Sequence, residues 1–134
     1  MSTANEYVRH VLLVDSLGGP VDLNTVDWHV RQHNPSAAPT EVQSETLDVI
    51  RSLTSEGLFT LGGMHGEREH APDRFIPWRH DLEHSIHTIT HAYVKHYDDP
   101  EKWMYAVWLR LTAKGEQLAR SIETSDLEGY RRRT

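Results

Sequence analysis

TEVQSETLDVIRSLTSEGLFTLG, residues 40–62, is the stretch whose reading decides the fold. Thr40 followed three residues later by Gln43 fits a capping box, in which each side chain satisfies a backbone donor left open at a helix start. Val42, Thr46, Leu47, Ile50 and Leu53 recur at helical spacing and draw one apolar stripe. Gly57 supplies a left-handed C-cap, and residues 58–61 alternate like a strand as far as a Gly62-Gly63 turn. The pattern predicts a helix that stops at a glycine and passes directly into a short strand.

Working outward, residues 5–17 predict a first helix with Val8, Val11, Leu12 and Leu17 on one face, ended by Gly18-Gly19-Pro20. Asp22 is a good N-cap for a second helix that turns Leu23, Val26 and Val30 inward, with Trp28 packed beside them. Asn34-Pro35 stops that helix. Downstream, residues 62–78 are rich in glycine and proline and read as a loop. Residues 79–97 form a strong helical pattern broken by Asp98-Asp99-Pro100. Residues 103–111 alternate roughly as a strand, with a helical turn over 101–106 as the alternative, Thr112 caps a last helix over 113–122, and residues 124–134 read as a flexible tail.

Three helices with a short turn between the second and third, followed by a strand, is the order of a helix-turn-helix module. The segment Leu111-Thr112-Ala113-Lys114-Gly115 resembles the "L-T-x-x-G" found where the second wing strand meets the final helix in regulators of the MarR and PadR type. The resemblance covers residues 5–63 and 103–122. It implies a single domain, mainly α with a small β-hairpin (α+β): a winged helix-turn-helix with an inserted loop and helix, 64–100, between the wing strands. It further implies a cytoplasmic, DNA-binding transcription regulator that pairs as a homodimer through helices outside its DNA-binding core.

Composition bounds these expectations. A chain of 134 residues, 37% hydrophobic and 25% charged, is long enough for one buried core. It has no run of apolar residues long enough for a membrane span, and its N-terminus shows no secretory pattern. With no cysteine, disulfides and thiolate-metal sites are excluded. The formal charge is −6, opposite in sign to the basic balance typical of proteins that neutralise phosphate. No phosphate loop, dinucleotide fingerprint or nucleophile elbow is present, so no catalytic residues are expected.

In the resembled fold the exposed face of the third helix enters the major groove. Thr40, Gln43 and Ser44 would contact phosphate or bases at its start, with Arg51 and Arg74 as positive anchors. That face also carries Glu41, Glu45 and Asp48, which repel phosphate. The acidic face favours a different expectation, a winged-helix scaffold that contacts a protein partner through the helix of residues 79–97.

Ten residues are histidine, and seven of them lie between His65 and His96. His80, His84, His87 and His91 step by four, three and four, covering about 60° of arc at ~100° per residue. Imidazoles at i and i+4 can share one ion, so zinc or nickel is the expected cofactor if the stripe binds metal and makes the chain a metal-responsive regulator. Otherwise it is a contact for a partner carboxylate, a pH-sensitive surface or a solvated polar face. His80-Asp81-Leu82-Glu83-His84 also resembles the H-x-x-E-H of inverzincin peptidases and the H-T-L-E-H of S-ribosylhomocysteine lyases, which implies two metal ligands and a Glu83 base. The lyases' cysteine ligand has no counterpart here, and only fifty residues follow His84 where the peptidases place their distant glutamate ligand.

Overall fold

The computed structural model describes residues 3–64 and 75–123. Five helices surround a small antiparallel sheet, an α+β arrangement. In chain order the elements are α1 (Thr3–Asp15), β1 (Val21–Asp22), α2 (Leu23–His33), α3 (Pro39–Ser55), β2 (Phe59–Met64), β3 (Phe75–Pro77), α4 (Leu82–Tyr93), β4 (Trp108–Leu111) and α5 (Ala113–Glu123). The sheet order is β1-β4-β2-β3, so β4 returns from far along the chain to lie between the two elements that flank α2 and α3.

The core is built from the expected stripes. Val8, Leu12 and Leu13 of α1, Leu23, Val26 and Val30 of α2, and Val49, Ile50 and Leu53 of α3 are almost wholly removed from water. Each such side chain contributes on the order of 1.5–3 kcal/mol relative to exposure. Ile86, Ile89 and Tyr93 extend the same core onto α4, and Ala119 and Ile122 onto α5. The Asp22 carboxylate caps α2, accepting from Thr25 N–H at 2.8 Å.

Several boundaries differ from the sequence reading. The start of α3 is not a capping box: Ala38 is the N-cap and makes no side-chain bond, and Pro39 opens the helix. Proline's fixed φ and missing donor suit the first helical position, so Thr40 and Gln43 are freed from capping. Gly62 and Gly63 do not turn. They lie inside β2, which continues to Met64 and pairs with β3. A Cβ on Gly62 would stand 2.3 Å from the Ile76 carbonyl oxygen, so close approach of strands, rather than a bend, explains the glycine. Gly57, at φ 75°, does provide the left-handed residue after α3.

The fourth helix is shorter than the apolar pattern predicts. It starts after Asp81, whose carboxylate accepts from His84 N–H at 2.8 Å, because Trp78 N–H still bonds the Leu61 carbonyl in continuation of the sheet. The last strand is also shorter than 103–111, since Pro100–Lys102 forms a 3₁₀ turn and only Trp108–Leu111 pairs. Trp28 is not packed beside Val26; it is 47% exposed.

The Leu111-Thr112-Ala113-Lys114-Gly115 segment clasps the end of α3. Thr112 N–H bonds Leu58 O at 3.0 Å, its hydroxyl donates to Gly57 O at 2.6 Å, and Lys114 Nζ donates to Glu56 O at 2.9 Å. These groups satisfy the carbonyls of the cap and turn that join α3 to β2, and the cation sits at the negative end of the helix dipole. The same Thr112 oxygen accepts from Gly115 N–H, opening α5.

Candidate interaction surface around the third helix

The residues expected to meet DNA are dispersed by the fold. Thr40 and Ser44 are exposed on the first turns of α3, whereas Gln43 is buried, with 8% of its surface left to solvent. Arg51 is ion-paired with Glu83 of α4. Arg74 lies outside the described residues, as do the tail 124–134 and most of the loop before β3.

What decides this surface is the placement of α4. Its start meets the end of α3 through Glu83 and Arg51, while its last buried residue, Tyr93, lies by Thr46, nearer the start of α3. The two helices therefore run antiparallel, side by side. On the opposite flank, Arg9 of α1 donates to Ser52 and, at 2.9 Å, to Glu56. Between these flanks the exposed ridge of α3 carries Glu41, Ser44, Asp48 and Ser55, two carboxylates and two hydroxyls, and the cation beside them, Arg51, is paired with Glu83. Desolvation pushes the Glu56 carboxyl up, but hydrogen bonds from Arg9 and Ser52 outweigh it and leave the group more acidic than usual.

The outer face of α4 carries His84, His87 and His91, all exposed, as expected. His80 is not on the helix, yet its ring lies 4.4 Å from that of His84, centroid to centroid, and 5.1 Å from Trp78. Among the described residues no three His, Asp or Glu side chains converge as a metal-binding group. Of the H-x-x-E-H residues, Glu83 points to Arg51 and Asp81 caps the helix, so both have structural partners.

Sequence reasoning missed the polar centre that fixes α4 in place. Asp27 of α2 is 1% exposed. Its carboxylate accepts from Arg31 Nε at 2.5 Å, from the Tyr93 hydroxyl at 2.5 Å and from the Tyr97 hydroxyl at 3.0 Å. A buried carboxylate is tolerated only when paired and fully hydrogen-bonded, and these three donors meet that need. Burial, reinforced by Asp27's charge, pushes the Tyr97 phenol up to about 12 and the Tyr93 phenol higher still. The Arg31 guanidinium is held even more firmly charged than usual by its hydrogen bond to Asp27. The signal was present: two tyrosines four apart on an otherwise apolar stripe need a buried acceptor for their hydroxyls.

No protein-family model, curated protein or solved structure matches the chain. None of the described helices is long and apolar enough to cross a membrane.

Proposed function

We propose that the chain is a winged-helix domain used as a protein-interaction module, with its third helix serving as a scaffold element rather than a reader of DNA. The element order supports the winged-helix reading. β1 between α1 and α2, then α3, and a β2–β4 pair leading into α5 follow that plan, with β3 and α4 as the insertion. One observation carries the functional reading: α4 lies along α3 and pairs Glu83 with the half-exposed Arg51, so that the charges without a partner on the exposed ridge, among the described residues, are Glu41 and Asp48. Such a ridge repels phosphate on the approach to a groove and suits a partner with a basic surface.

A DNA-binding regulator, dimeric and of the MarR or PadR sort, is the second reading. It is favoured by the exposure of Thr40 and Ser44 at the helix start, where hydroxyls can donate to phosphate. Fluorescence anisotropy of mixed duplex fragments with the full chain, at two salt concentrations and with or without zinc or nickel, separates the two. Absence of binding at low salt in every arm is the expected result. Tight binding that weakens steeply with salt would overturn the interaction-module reading, and a metal-dependent change would make the histidine face a sensor.

A further inference from the structure

Arg31 uses only its Nε on Asp27; no described residue hydrogen-bonds its Nη1 or Nη2. The side chain is 43% exposed and lines a pocket of about 330 Å³ at the joint between α2 and α3. Pro35, Ala37, Pro39, Val42 and Tyr97 form the apolar part of the wall, and Gln32 and Asn34 complete it with polar groups. Tyr97 is itself immobilised: its ring stacks on Trp103 at 5.4 Å and its hydroxyl is spent on Asp27. The pocket thus sets one oriented cation with free donors beside an apolar patch, the combination that orients a small amphipathic anion.

We propose that this pocket binds a small organic carboxylate with a compact aliphatic body, its carboxylate on the Arg31 Nη atoms and its body against Pro35, Pro39, Val42 and the Tyr97 ring. The planar fork of a guanidinium matches a carboxylate with two parallel hydrogen bonds. Because Asp27 holds Nε, the fork is already oriented before a ligand arrives, which lowers the ordering cost of binding. Asp27 occupies only the Nε edge of the guanidinium and is 1% exposed, so its carboxylate leaves the Nη edge clear for a ligand while offsetting part of the Arg31 charge. None of the exposed histidines lines the site, which does not depend on whether α3 meets DNA or protein.

The test is nitrogen–proton correlation spectroscopy on the full chain titrated with 4-methylpentanoate and, separately, its neutral amide. Saturable shifts centred on residues 31–42 and 97, with a Kd on the order of 1 mM, are expected for the acid. The amide should bind at least about tenfold more weakly, the loss of one charge-assisted pair. Arg31→Gln should abolish the acid's shifts. Since that variant also weakens the Asp27 centre, Ala37→Glu provides the second arm: it places a carboxylate at the pocket wall and should block the ligand while leaving Arg31 and Asp27 paired. Equal binding of acid and amide, undiminished binding in folded Arg31→Gln or Ala37→Glu, or no saturable shift in the wild type up to about ten times that concentration, would overturn the proposal.

Discussion

The hydroxyl of Tyr93 donates to the buried carboxylate of Asp27 at 2.5 Å across a separation of 66 residues, and so ties α4 to α2. Removing the donor leaves a buried charge short of one partner. Tyr93→Phe should therefore cost about 2 kcal/mol, in the range for hydrogen bonds to charged groups. Asp27→Ala should cost more, about 3–5 kcal/mol, because it strips the acceptor from Arg31 and both tyrosines. Urea unfolding followed by circular dichroism measures both. Equal stability of Tyr93→Phe and wild type would show that the phenol makes no net contribution.

The tyrosines also predict alkaline behaviour. Both phenols are raised in the folded chain, chiefly by burial and then by Asp27, Tyr97 to about 12. Below the ordinary tyrosine value of about 10 both states keep these protons, so the two groups add no pH dependence there. Above it the unfolded chain releases them first, and stability falls as pH rises from about 10 toward 12. Phenolate absorbance with a late component, lost in Tyr97→Phe, is the measurement that checks this.

The clasp on the end of α3 should be sensitive to single atoms. A Cβ on Gly115 would stand 2.1 Å from the Leu58 carbonyl oxygen, a backbone atom with no freedom to move aside. Gly115→Ala should cost about 2 kcal/mol or more through forced displacement of α5. Thr112→Val keeps the shape but loses the hydroxyl's bonds to Gly57 O and Gly115 N–H, for a loss of about 1–2 kcal/mol. Thermal unfolding of the two variants should show melting points lowered by several degrees.

The Arg51–Glu83 pair is exposed on both sides, so its contribution to stability should be small, below about 1 kcal/mol. Glu83→Gln should leave the melting curve nearly unchanged. It also frees the Arg51 charge, so it is the variant in which any latent affinity for duplex DNA should appear first. No gain in the anisotropy assay is the expected outcome.

Zinc should perturb His80 and His84 before His87 and His91, because the first two rings already lie 4.4 Å apart. Proton spectra of the imidazole Cε1–H resonances during a zinc titration report the order. His84→Ala should remove that early response, since it eliminates one member of the His80–His84 pair.

The helices and their inward faces were legible because α2, α3 and α4 each carry a clear 3.6-residue stripe. What was not legible depended on contacts between distant residues. Gly62 looked like a turn because a glycine pair is a local turn signal, whereas its purpose is set by a carbonyl on β3. His80 looked helical because Leu82, Ile86 and Ile89 extend the stripe, but the sheet holds the chain extended as far as Trp78. Asp27 was overlooked because an acid between Val26 and Trp28 reads as a solvent-facing position until Tyr93 and Tyr97 are brought over it. Arg51 could be assigned to the surface from its spacing, but not to Glu83.

The sheet ends on both sides in stubs. One edge is the two-residue strand Val21–Asp22 and the other the three-residue strand Phe75–Pro77, whose last member has no N–H to offer. Long open edges invite another chain to add a strand and begin a polymer. Here the longest described strand, β2, pairs with β4 along Phe59–Gly62 and with β3 along Gly62–Met64, so neither of its sides is open along its whole length. The fold thereby carries its own protection against strand-by-strand growth at high concentration, without relying on its net charge for it.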